Sequence, residues 1–145
     1  MFFRKLIATH APAATVLVRL MVGVVFLSEG IQKFLFPDAV GAGRFAKIGL
    51  PAPEFLAYFV AVFEVTCGSL IVLGLLTRLA VLPTIAIMLV AIATTKVPIL
   101  TADGFWKMAH EARTDWSMLL GSLFLLIAGA GPLSADRVLS SRRRT

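Results

Sequence analysis

Glu29, Gln32 and Lys33 stand close together in an otherwise apolar stretch, "RLMVGVVFLSEGIQKFLFP", which opens with Arg19. Glu64 and Asp115 lie in two further apolar stretches. Carboxylate and ammonium groups in such surroundings can exchange protons, or pair and donate hydrogen bonds to a polar ligand. Positions 19, 22, 26, 29 and 33 step by 3, 4, 3 and 4, the spacing of one helix face. Arg19, Glu29 and Lys33 share that face, with Gln32 beside Glu29. Glu29 precedes Lys33 by four residues, the favourable order for an ion pair. A lone charge at mid-bilayer costs at least about 2.5–3.5 kcal/mol, so the face is expected to turn inward. The plainer alternative is that the charges only fix which helices pack, through pairs such as Lys33–Asp115, or that Lys33 snorkels to the surface.

Such groups need a scaffold, and composition says which. Of 145 residues, 59% are hydrophobic and only 15% charged, and the mean hydropathy is +0.91. A soluble four-helix bundle needs a charged outer face on every helix, which this chain cannot supply. The expectation is an all-α, membrane-spanning four-helix bundle whose principal partner is the lipid bilayer. Four apolar segments of spanning length run from about Ala13 to Leu35, Glu54 to Leu76, Leu79 to Thr95 and Asp115 to Gly131. Pro37 and "GLPAP" bracket the first loop, "LGLLTR" makes the second turn, and Pro98, Asp103 and Gly104 open the third loop. Pro83 is placed near the first turn of the third helix, where proline costs least. Residues 1–12 are read as a cytoplasmic lead-in, with Phe2, Phe3 and Leu6 able to dip into lipid, residues 13–139 as the membrane domain and residues 140–145 as a basic tail.

With four crossings both ends share a side. Lys and Arg divide seven to six between the two sides, but the bases at the termini flank the membrane closely. Both termini are therefore expected in the cytoplasm. A helical rise of about 1.5 Å per residue puts Glu29, Gln32, Lys33, Glu64 and Asp115 in the outer half, with Arg19 alone below them. Arg19 and Glu64, each without an opposite charge within one turn, are expected to meet. Gly23 and Gly30 share a face suited to close packing or self-association, so a homo-oligomer is one candidate assembly. Trp106 and Trp116 suit the membrane interface or the mouth of a site.

Several functions are excluded on motif grounds. The net charge of +6 comes without any nucleic-acid-binding motif. One cysteine, Cys67, makes neither a disulfide nor a CxxC pair, and its apolar neighbours suit an inert buried thiol. His10 and His110 are expected on opposite sides, so no metal site is expected. No nucleotide-binding glycine loop, Ser-His-Asp set or pair of haem-ligating histidines is present. The chain therefore shows no intrinsic cofactor site and no catalytic constellation of an enzyme acting alone.

The sequence resembles the DoxX family of small four-helix membrane proteins over Val16 to Leu139. The resemblance rests on Arg19, Gly23, Phe26, Gly30 and Lys33; on "GLP" from Gly49; on "FEVTCGSLIVLGLLTR", with Glu64, Gly68, Gly74, Thr77 and Arg78 in order; and on Asp115 followed by "GAGPLSADRVL". Family members often carry His where this chain has Glu29. The resemblance implies a bacterial inner-membrane protein that is a subunit of, or accessory to, a quinone-linked oxidoreductase. Some relatives are such subunits, of thiosulfate:quinone enzymes among others, and related proteins assemble or anchor redox enzymes. It points to a quinone as ligand and to a redox protein as partner. Glu29, Gln32, Lys33, Glu64 and Asp115 would then converge on a cavity opening toward the outer half. Lys33 or Gln32 would donate to a carbonyl oxygen, and Glu29 or Glu64 would exchange protons. Two other classes compete: a small transporter or carrier, for which the sequence shows no inverted repeat, and a non-catalytic membrane anchor for a soluble partner.

Overall fold

A computed structural model describes residues 11–142, and of Arg142 the backbone only. The expected dip of Phe2, Phe3 and Leu6 into lipid, and most of the arginine-rich tail, lie outside the described residues. Among them every regular element is helical. Helix α1 spans Thr15–Leu35, and two short helices, α2 (Pro37–Val40) and α3 (Ala42–Lys47), follow it. Helix α4 spans Pro53–Leu73 and α5 spans Thr77–Ala91. A π-helical turn, Ile92–Lys96, carries α5 directly into α6 (Val97–Asp103). Helices α7 (Phe105–Glu111), α8 (Arg113–Ala128) and α9 (Ala135–Arg142) complete the chain.

The four long elements form a ring in the order α1, α4, α5, α8, each packed most closely on its neighbours. All four neighbouring pairs are antiparallel. Gly23 faces Gly68 and Val72, whereas Gly30 faces Ala61 and Val65. Arg78 reaches Leu126 while Lys96 reaches Asp115. Val22, Phe26, Cys67, Ile71, Val81, Met118 and Leu125 meet at the centre, and large side chains such as Leu17, Phe55, Val62, Leu89 and Ile127 face outward. This inside-out distribution of bulk is what lipid as solvent allows. Cys67 belongs to the core and is 5% exposed.

The buried residues of α1 are Thr15, Arg19, Val22, Gly23, Phe26, Gly30 and Lys33, the face the 3-and-4 spacing predicts, except that Glu29 stays half exposed. The glycines on that face are spent within the molecule. A Cβ on Gly68 would come within 2.6 Å of the Leu27 backbone nitrogen, and one on Gly30 within 2.8 Å of the Val65 nitrogen. The α1–α4 seam closes backbone to backbone there, so Gly23 and Gly30 serve the close packing expected of them, against α4.

Helix limits differ from expectation at the prolines. Pro83 sits inside α5, two turns from its start, rather than near its first turn. Pro98 does not open a loop, since the chain stays helical through Asp103 and the third apolar helix is 27 residues long. A proline offers no N–H to the carbonyl four residues back, here that of Thr94, and its ring crowds that oxygen. The wider π turn just ahead of Pro98 relieves the conflict. The Thr95 hydroxyl donates to the Ala91 carbonyl at 2.6 Å within that turn. Among the described residues three helices are long and apolar enough to cross a membrane. The fourth, α8, has 16 residues and so spans about 24 Å, a little short of the hydrocarbon thickness.

Candidate functional site

The polar side chains of the bundle divide between its two ends. At the end near the chain termini they satisfy helix ends. Helix α8 stops at Gly129, leaving its last carbonyls without N–H partners. Arg78 donates from Nε to the Leu126 oxygen at 3.0 Å and from Nη2 to the Ile127 oxygen at 2.9 Å, and Arg19 Nη1 donates to the Ala130 oxygen at 2.9 Å. Helix α5 begins after Leu76, which has a left-handed backbone and offers no capping side chain. Asp136 of α9 caps it from across the fold, with Oδ1 accepting from Leu76 N at 2.8 Å and Oδ2 from Thr77 N at 3.1 Å. Gly74 turns the chain between α4 and α5 with φ +67°, and a Cβ there would collide with the Arg19 guanidinium.

Arg19 therefore does not meet Glu64, and it lies away from the other polar candidates. Side chains on a helix lean toward its N-terminus. On α1 that lean carries Arg19 toward the terminal end of the bundle, and it carries Lys33 down to the level of Glu29 and Glu64.

At the opposite end the geometry is different. Lys33 Nζ stands 2.7 Å from Glu64 Oε2. It is also 3.8 Å from Glu29 Oε2 and donates to the Glu29 carbonyl at 3.4 Å. The Lys33 and Glu64 side chains are 9% and 4% exposed, so this pair is buried. A second pair faces it from the π turn and α8: Lys96 Nζ and Asp115 Oδ2 are 3.3 Å apart and also largely buried. Between the two pairs lies a cavity of about 600 Å³. Glu29 and Lys33 reach it from α1, Glu64 from α4, Lys96 from the π turn and Asp115 from α8. Apolar walls come from Val25, Phe26, Phe59, Val60, Ile87 and Met88. Helix α3 and the loop after it cover one side through Arg44, Phe45, Ile48 and Leu50, and Arg113 and Glu111 reach the rim.

Of the predicted residues, Glu29, Lys33, Glu64 and Asp115 thus line one cavity, but the pairing is redistributed. Asp115 goes to Lys96 and not to Lys33. Gln32 points aside, donating to the Ser28 hydroxyl at 3.0 Å, and does not line the cavity. Trp106 and Trp116 do not frame its mouth; they are 84% and 45% exposed on the outside of the bundle. Lys96 is the residue sequence reasoning missed, because the helix was ended at Thr95 on account of Pro98. The apolar run "VPIL" beyond Lys96 was the available signal that the helix continues. Among the described residues no cluster of His, Cys, Asp or Glu is arranged to hold a metal ion.

Such a cavity can bind a molecule with a mostly apolar body and a polar head. Two ammonium groups offer N–H donors, and the carboxylates can accept hydrogen bonds or protons. Its volume lies within the range of small-molecule sites, roughly 300–1,000 Å³.

Comparison with known proteins agrees with this architecture. The chain is similar to "Uncharacterized membrane protein Rv3486" of Mycobacterium tuberculosis (strain ATCC 25618 / H37Rv), 51% identical over 95% of this chain and 88% of that one. It is also similar to "Putative oxidoreductase CatD" of Bacillus subtilis (strain 168), 30% identical over 84% of each. No solved structure matches. The family model named DoxX matches residues 14–97, from the start of α1 to just past Lys96, and so takes in every lining residue except those after α6. The chain is a membrane protein and belongs to the DoxX family.

Proposed function

We propose that this protein is an inner-membrane subunit of, or accessory to, a redox system, and that it binds a quinone-like molecule in the cavity between α1, α4, α5 and α8. The observation that carries the reading is the pair of buried lysine–carboxylate contacts on opposite walls of an otherwise apolar cavity. The residues fit such a ring. Lys33 and Lys96 are placed on different helices to donate hydrogen bonds to carbonyl oxygens on two sides of it. Glu64 Oε2, 2.7 Å from Lys33 Nζ, has a second lone pair with which to accept a hydrogen bond. A bound quinone would supply the electron-accepting chemistry, and this chain's residues would orient it, exclude water and hold protons at Glu64 and Asp115. Electrons would come from a partner redox protein. The name of the Bacillus subtilis relative supports a redox setting. With both termini in the cytoplasm, the cavity would open in the outer half of the membrane.

The test is direct. Purified Lys33→Met, Glu64→Gln and Asp115→Asn proteins that stay folded should each lose most of the quinone that the wild type retains or rebinds. If all three hold quinone as the wild type does, the cavity is not a quinone site.

A further inference from the structure

The cavity does not end at the polar pairs. A smaller apolar groove of about 140 Å³ adjoins it, lined by Phe59, Val60 and Phe63 of α4 and Pro83, Ala86 and Ile87 of α5. Four of these six residues, Phe59, Val60, Ala86 and Ile87, also line the cavity, so the two spaces share a wall. The groove lies on the outside of the bundle, with Phe59 and Phe63 at 49% and 38% exposed. Phe59 and Phe63 form one wall, their rings 4.9 Å apart.

The seam itself explains why the opening is here. The α1–α4 seam is closed by Gly23, Gly30 and Gly68. The α5–α8 seam is drawn together by Thr84 with Ser122 and by Arg78. At Gly121 of α8, a Cβ would strike Val22 of α1. The α4–α5 seam has a tight turn at the terminal end, and toward the cavity it is walled by phenylalanine and proline. From Phe59 to Phe63 and from Ile87 to Pro83 the groove runs one helical turn, about 6 Å, away from the Lys96–Asp115 pair and down to the depth of Glu64, near the middle of α4. A lipid tail anchored by its head near one membrane face runs in that same direction.

We infer that the α4–α5 groove is a lateral portal that seats the hydrocarbon tail of the ligand. That ligand would be a membrane-dissolved amphiphile, with its head at the Lys33–Glu64 and Lys96–Asp115 pairs, which enters from the bilayer and not from water. This rests on the reading of the cavity as a quinone site and adds the tail, the route and the residues that select for them. Pro83 lines the groove and not the cavity, so a bulky residue there meets the tail without touching the head.

The probes are a decyl-tailed benzoquinone and the same ring bearing only a methyl group, titrated against wild type and Pro83→Trp in one detergent. Comparing proteins in one detergent cancels partition of the tail into micelles. Wild type should bind the tailed ring about tenfold or more tighter than Pro83→Trp does, the loss of a few methylene contacts. The two proteins should bind the methyl ring alike. Equal binding of the tailed ring by the two proteins overturns the portal and leaves the head site standing. If neither ring binds wild type, the quinone reading falls and the tail assignment with it. A variant-free measurement stands beside these: a tailed quinone with a diazirine at the tail end should label peptides holding Phe63 or Pro83. Labelling that bulk phospholipid competes away, but the methyl ring does not, would assign the groove to ordinary lipid and overturn the proposal.

Discussion

Lys33 is the charge on which the site is balanced. It serves Glu64 at 2.7 Å and Glu29 at 3.8 Å, and among the described residues no other base is within ion-pairing distance of Glu64. The two partners are therefore not equivalent. Removing Glu64 leaves Lys33 beside the half-exposed Glu29, whereas removing Lys33 strands a carboxylate in a buried place. Breaking a buried pair from one side costs about 3–5 kcal/mol, and replacing both charges with neutral groups restores much of it. Lys33→Met should accordingly lower the melting temperature in detergent more than Glu64→Gln does, and the double variant should melt above Lys33→Met alone. If Glu64→Gln were the more damaging change, Lys33 would not be Glu64's sole compensation. The face that carries Lys33 was legible from spacing alone, because helical periodicity survives in any solvent. Its partner was not, because a partner depends on the direction in which a side chain leaves its helix. Arg19 and Lys33 share a face, yet their lean toward the N-terminus sends one to the Ala130 carbonyl and the other to Glu64.

At the scale of elements, the termini-side end is held by groups that supply what the helices lack. Asp136 gives α5 the cap that Leu76 cannot, and Leu76 holds a left-handed backbone with φ 50°. A carboxylate accepting two backbone N–H bonds at a helix N-terminus also opposes the partial positive charge there. Asp136→Ala would leave both N–H groups unpaired in a buried place, at a cost of about 2–3 kcal/mol. Asp136→Asn keeps one acceptor oxygen and should lose roughly half as much, about 1–1.5 kcal/mol. Unfolding in detergent would separate the two, and equal stability of Asp136→Ala and wild type would show that water replaces the carboxylate. Neither variant should alter quinone retention, since Asp136 does not line the cavity. This cap was hidden in the sequence because about sixty residues separate donor from acceptor, and no local spacing records such a contact. The π turn was hidden for another reason. A proline reads as a helix end, but two residues before Pro98 the helix widened instead of stopping, which turned Lys96 inward.

The whole molecule is asymmetric from end to end. One end is closed by Arg19, Arg78 and Asp136, which join α5, α8 and α9. The other is hollow and, among the described residues, is covered by Val40 of α2, by α3 and the loop after it, and at the rim by Glu111 and Arg113. Composition made the bundle legible, because a chain this apolar has few folds that satisfy its backbone in lipid. It did not make the cavity legible, since a void is set by where helices fail to touch. The direction of that asymmetry across the membrane decides which compartment the rim charges Arg44, Glu111 and Arg113 would face. Basic residues lie at the terminal end through Arg78 and Arg137 and the sequence beyond, and on the positive-inside rule we expect that end in the cytoplasm. Single-cysteine variants test this, with the buried native thiol of Cys67 silent toward a membrane-impermeant maleimide. Asp103→Cys, exposed at the end of α6, should be labelled in intact spheroplasts, and Arg137→Cys only after permeabilisation. The reverse pattern would turn the cavity's rim to the cytoplasm and with it the side from which a redox partner could approach. Labelling of both positions in intact spheroplasts would mean an even number of crossings between them, here none. The short α8 would then lie along the membrane surface instead of spanning it.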